Sequence, residues 1–232
     1  MAKMVGFSRP IKIEWLEKVA SLVREGKTDE EVKKEIHDYL AFEITSPTNL
    51  RKTREILLSI WVRCPEDIKF MAIDAISIGK KEDRLAVHWS MILLAYPLFW
   101  DAASLMGKIT NLQDTFASAW LKTKLSEIWG ERDTMLESVP RITQSMKQMG
   151  ILDGIKAGEF KVNHFTVTDE KSIECMAAII LRIGDKGFYT IEDIANVACM
   201  FPFEFNLTHE IVYNSKVLNI SNMSGKAVLM TE

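Results

Sequence analysis

The sequence predicts a mostly α protein: an N-terminal helical bundle, then a winged-helix-like module, then a small α/β module. Three observations lead there. Apolar residues recur at helical spacing from residue 11 to about 110, and capping residues mark the breaks between runs. Residues 111–163 follow the order helix, tight polar turn, helix and short Gly-containing hairpin, which is the order of a winged helix-turn-helix. The last seventy residues repeat that theme, as a second winged-helix-like unit or an α/β tail. The expected boundaries are therefore 1–110, 111–165 and 166–232.

In the first region, a helix presenting Trp15, Val19 and Leu22 stops at Gly26. Thr28 and Glu31 then form a capping box for a helix carrying Val32, Ile36, Tyr39 and Leu40. Ser46 as N-cap and Pro47 at the first helical position start the next, with Leu50, Ile56, Leu57, Ile60 and Trp61 on one side. Arg51, Lys52, Arg54 and Arg63 lie on the other, four bases against the single acid Glu55. Such a stripe is either a solvated helix face or a phosphate-contacting surface. Residues 66–78 make a helix ending at Gly79, and residues 85–95, apolar nearly all round, make the central helix of the bundle. Pro97 bends the chain before a helix over 98–109, which can serve as the first helix of the winged module.

In that module, the helix over 117–128 turns Trp120, Leu121, Leu125 and Ile128 inward. The helix over 134–149 has apolar residues at 135, 139, 142, 146 and 149, one seam along a helix. Pro140 is awkward inside it, so its regular part is expected to begin with Ser138 as N-cap. Residues 151–152 and 159–162 then pair across a turn near Ala157 and Gly158. Further on, helices are expected over 168–182, 190–200 and 207–215, with a strand over 187–189. A terminal hairpin of 217–220 with 226–230 turns at Ser224 and Gly225.

Composition narrows the function classes. Hydrophobic residues make up 47% of the chain and charged residues 26%, ordinary globular usage that argues against disorder. A net charge of −3 gives no global pull toward nucleic acid, so any such surface is local. Cys64, Cys175 and Cys199 are far apart and no CxxC exists; with four scattered histidines, neither a disulfide framework nor a metal site is expected. The first fifteen residues lack the apolar run of a signal peptide, and residues 85–100 fall short of a membrane span. The chain reads as cytoplasmic, with no membrane partner. No GxxxxGK[ST] or GxSxG motif occurs. His88 reads as a hydrogen-bonded core residue rather than a base, so no catalytic residue and no cofactor are expected.

If the helix reaching Met149 enters a major groove, Arg141, Gln144, Ser145 and Gln148 have the chemistry to read base edges. Lys147, Lys156 and Lys161 would hold phosphates, and Arg51, Lys52 and Arg54 could add further phosphate contacts. The same residues could equally be the solvated face of a core helix, because residues 141–163 hold four bases and two acids. From His164 onward there are five Lys/Arg and nine Asp/Glu, which suits a protein-facing role.

The succession GKTDEEVKKEI, TSPTNLRKTREILLSIW, an apolar helix and a winged-helix-like end resembles small helical proteins of bacterial phage-defence islands, the BrxA-like component of BREX systems. The likeness covers roughly residues 10–150 and rests on this pattern and the SPT…RKTR neighbourhood; the blocks AYPLFWD and GERDT within that span are not matched to the family. It implies an all-helical DNA-binding accessory protein within a multi-protein defence system, with no catalytic residues to carry over. The alternative expectation is a helical or winged-helix adaptor that binds other proteins and no nucleic acid.

Overall fold

The computed structural model describes residues 6–113, 115–223 and 226–230. It is mostly helical, with three small sheets among the described residues. The first layer contains α1 (Ile13–Arg24), α2 (Asp29–Ala41), α3 (Pro47–Trp61), α4 (Glu66–Ile78), α5 (Lys81–Ala95) and α6 (Pro97–Thr110). The local signals act as expected. The Thr28 hydroxyl accepts from the Glu31 amide while the Glu31 carboxylate accepts from the Thr28 amide, and Ser46 accepts from the Asn49 amide. Gly26 takes φ 75°, a left-handed conformation that a side chain disfavours, and ends the first helix turn sharply. Central α5 packs against α3, α4, α6 and a later helix, so it is buried almost all round.

The middle of the chain runs β1 (Thr115–Ala117), α7 (Ser118–Trp129), α8 (Asp133–Gln148), β2 (Leu152–Lys156) and β3 (Glu159–Val162). The hairpin forms, and α7 and α8 are separate helices broken by Gly130 at φ 76°. A third strand, β1, pairs antiparallel with β3, so the sheet order is β1-β3-β2. Two local expectations are corrected. Ser138 is not an N-cap: α8 begins at Asp133 and carries Pro140 inside. Pro140 is exposed, so water can reach the Leu136 carbonyl that it leaves without an amide. Ile128 does not turn inward but is 57% exposed. Its neighbour Trp129 is half-buried instead, drawn in by a 2.8 Å bond from its indole Nε1 to Asp101 on α6.

The remaining elements are β4 (Phe165–Thr166), α9 (Glu170–Ile183), β5 (Phe188–Tyr189), α10 (Ile191–Ala195), a 3-10 turn (Ala198–Met200), β6 (Phe203–Glu204), α11 (His209–Asn214), β7 (Ile220–Met223) and β8 (Lys226–Met230). The helix expected over 190–200 is thus split into α10 and the 3-10 turn. The strand expected over 217–220 starts at Ile220, because the Ser215 hydroxyl accepts from the Val217 and Leu218 amides and holds that stretch as a turn. The expected turn at Ser224 and Gly225 lies outside the described residues. β5, β8 and β7 form an antiparallel sheet in that order. The succession helix–strand–helix–helix–hairpin with strand order first-third-second therefore occurs twice, from α6 and again from α9, the second time with the 3-10 turn and β6 inserted.

One apolar core runs from Phe7 to Leu229. At its middle, Trp89 meets Phe99, Phe201 and Phe203 edge-on and its Nε1 donates to the Cys199 carbonyl at 2.9 Å. The 3-10 turn presses so closely on α6 that a Cβ added at Gly107 would stand 1.9 Å from the Ala198 carbonyl oxygen. Asp83, buried on α5, accepts from the Thr168 and Asp169 amides and so fastens the start of α9 to the bundle.

Candidate nucleic-acid interface

The seam of α8 is as the spacing predicts: Met135, Val139, Ile142, Met146 and Met149 are all buried. That leaves an exposed arc with Glu137, Pro140, Gln144, Lys147 and Gln148, and with Arg141 at intermediate exposure. Gln144 and Gln148 stand one turn apart on this arc, each with an amide that can donate and accept. Arg141 is not fully available, since its guanidinium donates to Glu137 one turn earlier at 2.9 Å. An exposed pair of this kind is weak and screened by salt, so a stronger acceptor can take the arginine.

Ser145 is not on the interface, contrary to the expectation from its position. It is fully buried, donating to the Arg141 carbonyl at 2.8 Å and accepting from the Ile11 amide at 2.9 Å. Ser138, seven residues earlier on the same side, does likewise: it donates to the Thr134 carbonyl and accepts from the Phe7 amide at 3.1 Å. The segment 7–11 before α1 is thus pegged along α8 by two serine hydroxyls, with Phe7 and Ile11 fully buried beneath it. Sequence spacing alone could not assign these serines, because the partner amides lie more than 130 residues away.

The hairpin lysines are placed differently from one another. Lys147 reaches from α8 toward the hairpin, its Nζ 5.9 Å from the Phe160 ring centre. Lys156 pairs with Glu159 across the hairpin at 2.7 Å, and that carboxylate raises the lysine's pKa. Lys161 is exposed on β3 with no ion pair to a described residue. A bulge between Gly154 and Lys156 leaves Ile155 unpaired at the hairpin end, 55% exposed.

The basic stripe on α3 is partly neutralised. Arg54, 17% exposed, bonds Glu55 at 2.9 Å and lies 3.4 Å from the His37 ring, and Arg63 holds the other Glu55 oxygen at 2.5 Å. Burial pushes the Glu55 carboxyl up, but the bonds from Arg63 and Arg54 outweigh it and the net shift is downward. Arg51 is exposed and Lys52 half-exposed, and neither has an ion pair to a described residue. α3 packs on α1, α2 and α5 whereas α8 packs on α6, α7 and the hairpin. What joins them is the pegged segment: between Phe7 and Ile11, Arg9 reaches across and donates to Asn49 in the first turn of α3 at 2.9 Å. Arg9 adds a cation between the two patches, one that sequence reasoning missed because it belongs to no periodic run.

His88 is core, as expected, but not hydrogen-bonded: neither ring nitrogen has a hydrogen-bond partner among the described residues, and Nε2 is 3.7 Å from Glu17. No group of three or more His, Cys, Asp or Glu among the described residues could hold a metal ion. The three cysteines are unbridged, and burial pushes the Cys64 thiol up to about 11 and raises Cys175 and Cys199 further. No helix among the described residues is long and apolar enough to cross a membrane.

Comparison with protein-family models, with curated proteins and with solved structures returned no match.

Proposed function

We propose that this chain is a non-enzymatic protein that binds duplex DNA through α8 and the β2–β3 hairpin. The observation that supports this best is topological. The order α6–β1–α7–α8–β2–β3 with sheet order β1-β3-β2 is that of a winged helix-turn-helix, whose second helix of the turn enters the major groove. On this reading Gln144, Gln148 and a released Arg141 face base edges. Lys147, Lys156, Lys161, Arg9, Arg51 and Lys52 face phosphates. Arg54 contributes less, being committed to Glu55. The repeated topology after α9 is a second winged-helix-like unit; its acidic character suits a protein partner. The resemblance to the BrxA-like family supports placing the chain among the accessory proteins of a phage-defence system.

A second reading, the adaptor without nucleic acid, is favoured by the pairing of Arg141 and Lys156 with neighbouring acids. Fluorescence anisotropy on a labelled duplex at low salt separates the two. Expected is binding that weakens as salt rises, by about one unit of log–log slope per phosphate contact. Gln144→Ala and Gln148→Ala should each cost about 1–3 kcal/mol on a preferred sequence if they read bases. Lys161→Ala and Arg9→Ala should weaken all sequences alike and flatten the salt slope. Absence of binding by the wild type, or no effect from any of these four exposed or partly exposed positions, rejects the DNA reading in favour of the adaptor.

A further inference from the structure

We propose that the groove between α6–α7 and the α9–β5–α10 edge is a docking site for a basic, partly apolar peptide segment of a partner protein. The groove encloses about 970 Å³, a size suited to a short peptide stretch rather than an ion or a water chain. Its apolar lining includes Pro97 and Trp100 from α6, Ile128 from α7 and Tyr189 from β5. Ile128 is the element of this wall that the fold leaves uncovered. It is 57% exposed because Trp129, anchored to Asp101, has taken the inward place beside it. A bare isoleucine at the rim of a concavity with a half-buried tryptophan is surface that gains by being covered.

Charge selects the occupant. Four carboxylates line the groove, Asp101, Asp185, Glu192 and Asp193, against Lys108 and Lys186. Lys186 is already satisfied: its Nζ is 2.9 Å from Asp193 and 5.3 Å from the Tyr189 ring centre. Asp193 is held at about 2 by Lys186 and by the Thr190 amide and hydroxyl, so it stays ionised. Asp185 and Glu192 have no ion pair to any described residue. An incoming arginine or lysine therefore meets carboxylates at the groove edge and apolar side chains for its stem, while a polyanion such as DNA is repelled. The placement of Lys186, between a carboxylate and an aromatic face, shows the local geometry that such a cation would use. The proposal does not depend on α8, so it stands or falls separately from the DNA reading.

The test is anisotropy of a short fluorescein-labelled peptide of repeating Leu-Arg-Arg-Leu units, titrated with the full chain. Expected is saturable binding that weakens about ten-fold or more in the double variant Asp185→Asn/Glu192→Gln and in Ile128→Ser. It should be unchanged in the charge-matched control Glu30→Gln/Asp38→Asn on α2. Asp185 and Glu192 hold no structural ion pair, so their double variant remains a valid probe even if Ile128→Ser folds poorly. The proposal is overturned if the wild type does not bind, if the α2 control weakens binding equally, or if a peptide with Glu for Arg binds as well. Sedimentation showing a dimer that Ile128→Ser dissolves would give the groove to a second copy and overturn it too.

Discussion

His88 is fully buried on α5, edge-on to Trp61 at 5.1 Å, and neither its ring nitrogens nor the Trp61 Nε1 has a hydrogen-bond partner among the described residues. The charged groups facing it are Glu17 on α1, 3.7 Å away, and Arg84 one turn earlier on α5, which holds Glu17 at 2.8 Å. The His88 ring and the Arg84 guanidinium together hold the Glu17 carboxyl at about 2. Of the two, the Arg84 contact is the more secure, because 3.7 Å is beyond a hydrogen bond and a neutral imidazole brings no charge. Burial lowers the His88 pKa below its ordinary 6.5, more than Glu17 raises it. A base whose folded pKa is depressed binds its proton more readily in the unfolded chain. Stability is then complete above about pH 6.5 and declines as the pH falls below it, with Glu17 adding a further loss below about 4.5. His88→Leu should remove the first of these declines. Because it replaces unpartnered polar atoms with apolar volume, it should also leave stability at neutral pH unchanged or higher. Urea denaturation of both proteins at about pH 7.5 and pH 5.5 reads this directly. A wild type equally stable at both values would show that burial does not hold the His88 pKa below that of the unfolded chain.

At the scale of elements, the segment 7–11 and α8 hold each other through Ser138 and Ser145. Ser145→Ala leaves the Ile11 amide buried without an acceptor, at a cost of about 1–3 kcal/mol. Thermal or urea unfolding should show that loss for Ser145→Ala, whereas Gln144→Ala beside it should stay within about 0.5 kcal/mol of wild type. Equal effects would place Ser145 on the surface after all. The pair also shows what was legible in the sequence. The seam of α8, the capping box at Thr28 and the Ser46-Pro47 start are local patterns, set by residues within a turn or two, and each could be read before any fold was known. Strand β1 could not, since three residues declare no period and exist as a strand only because β3 offers a free edge. Ser138 read as an N-cap and Ser145 as polar helix surface for the same reason: their partners come from the other end of the chain. Ile128 and Trp129 were both apolar and adjacent, and only the distant Asp101 decided which of them turns inward.

At the scale of the whole molecule, the two repeats of helix, strand, helix, helix and hairpin are welded rather than strung together. The first helix of one, α6, carries Gly107 against the 3-10 turn inserted in the other. Trp89 of the central helix closes the same junction by donating to the Cys199 carbonyl and meeting Phe201 and Phe203 edge-on. The consequence bears on the two proposals: a rigid junction fixes the acidic groove relative to the α8 face, so that a peptide in the groove and DNA on α8, if both bind as proposed, would sit at a set distance. Gly107 is the point where this can be tested with one methyl group. Its added Cβ would meet the Ala198 carbonyl carbon at 2.8 Å as well as the oxygen at 1.9 Å, and backbone atoms cannot rotate away as a side chain could. Gly107→Ala should therefore force α6 and the 3-10 turn apart and destabilise the chain by roughly 2–4 kcal/mol, despite the better helix propensity of alanine. Alanine at Gly6, where a Cβ meets nothing within 4 Å, serves as the neutral comparison. Hydrogen exchange should place the loosening in α6, residues 198–203 and the Trp89 side of α5, leaving α2 and α3 protected as in the wild type. If Gly107→Ala is as stable as the parent, the two repeats do not rest on each other at this point, and the fixed geometry between groove and α8 goes with it.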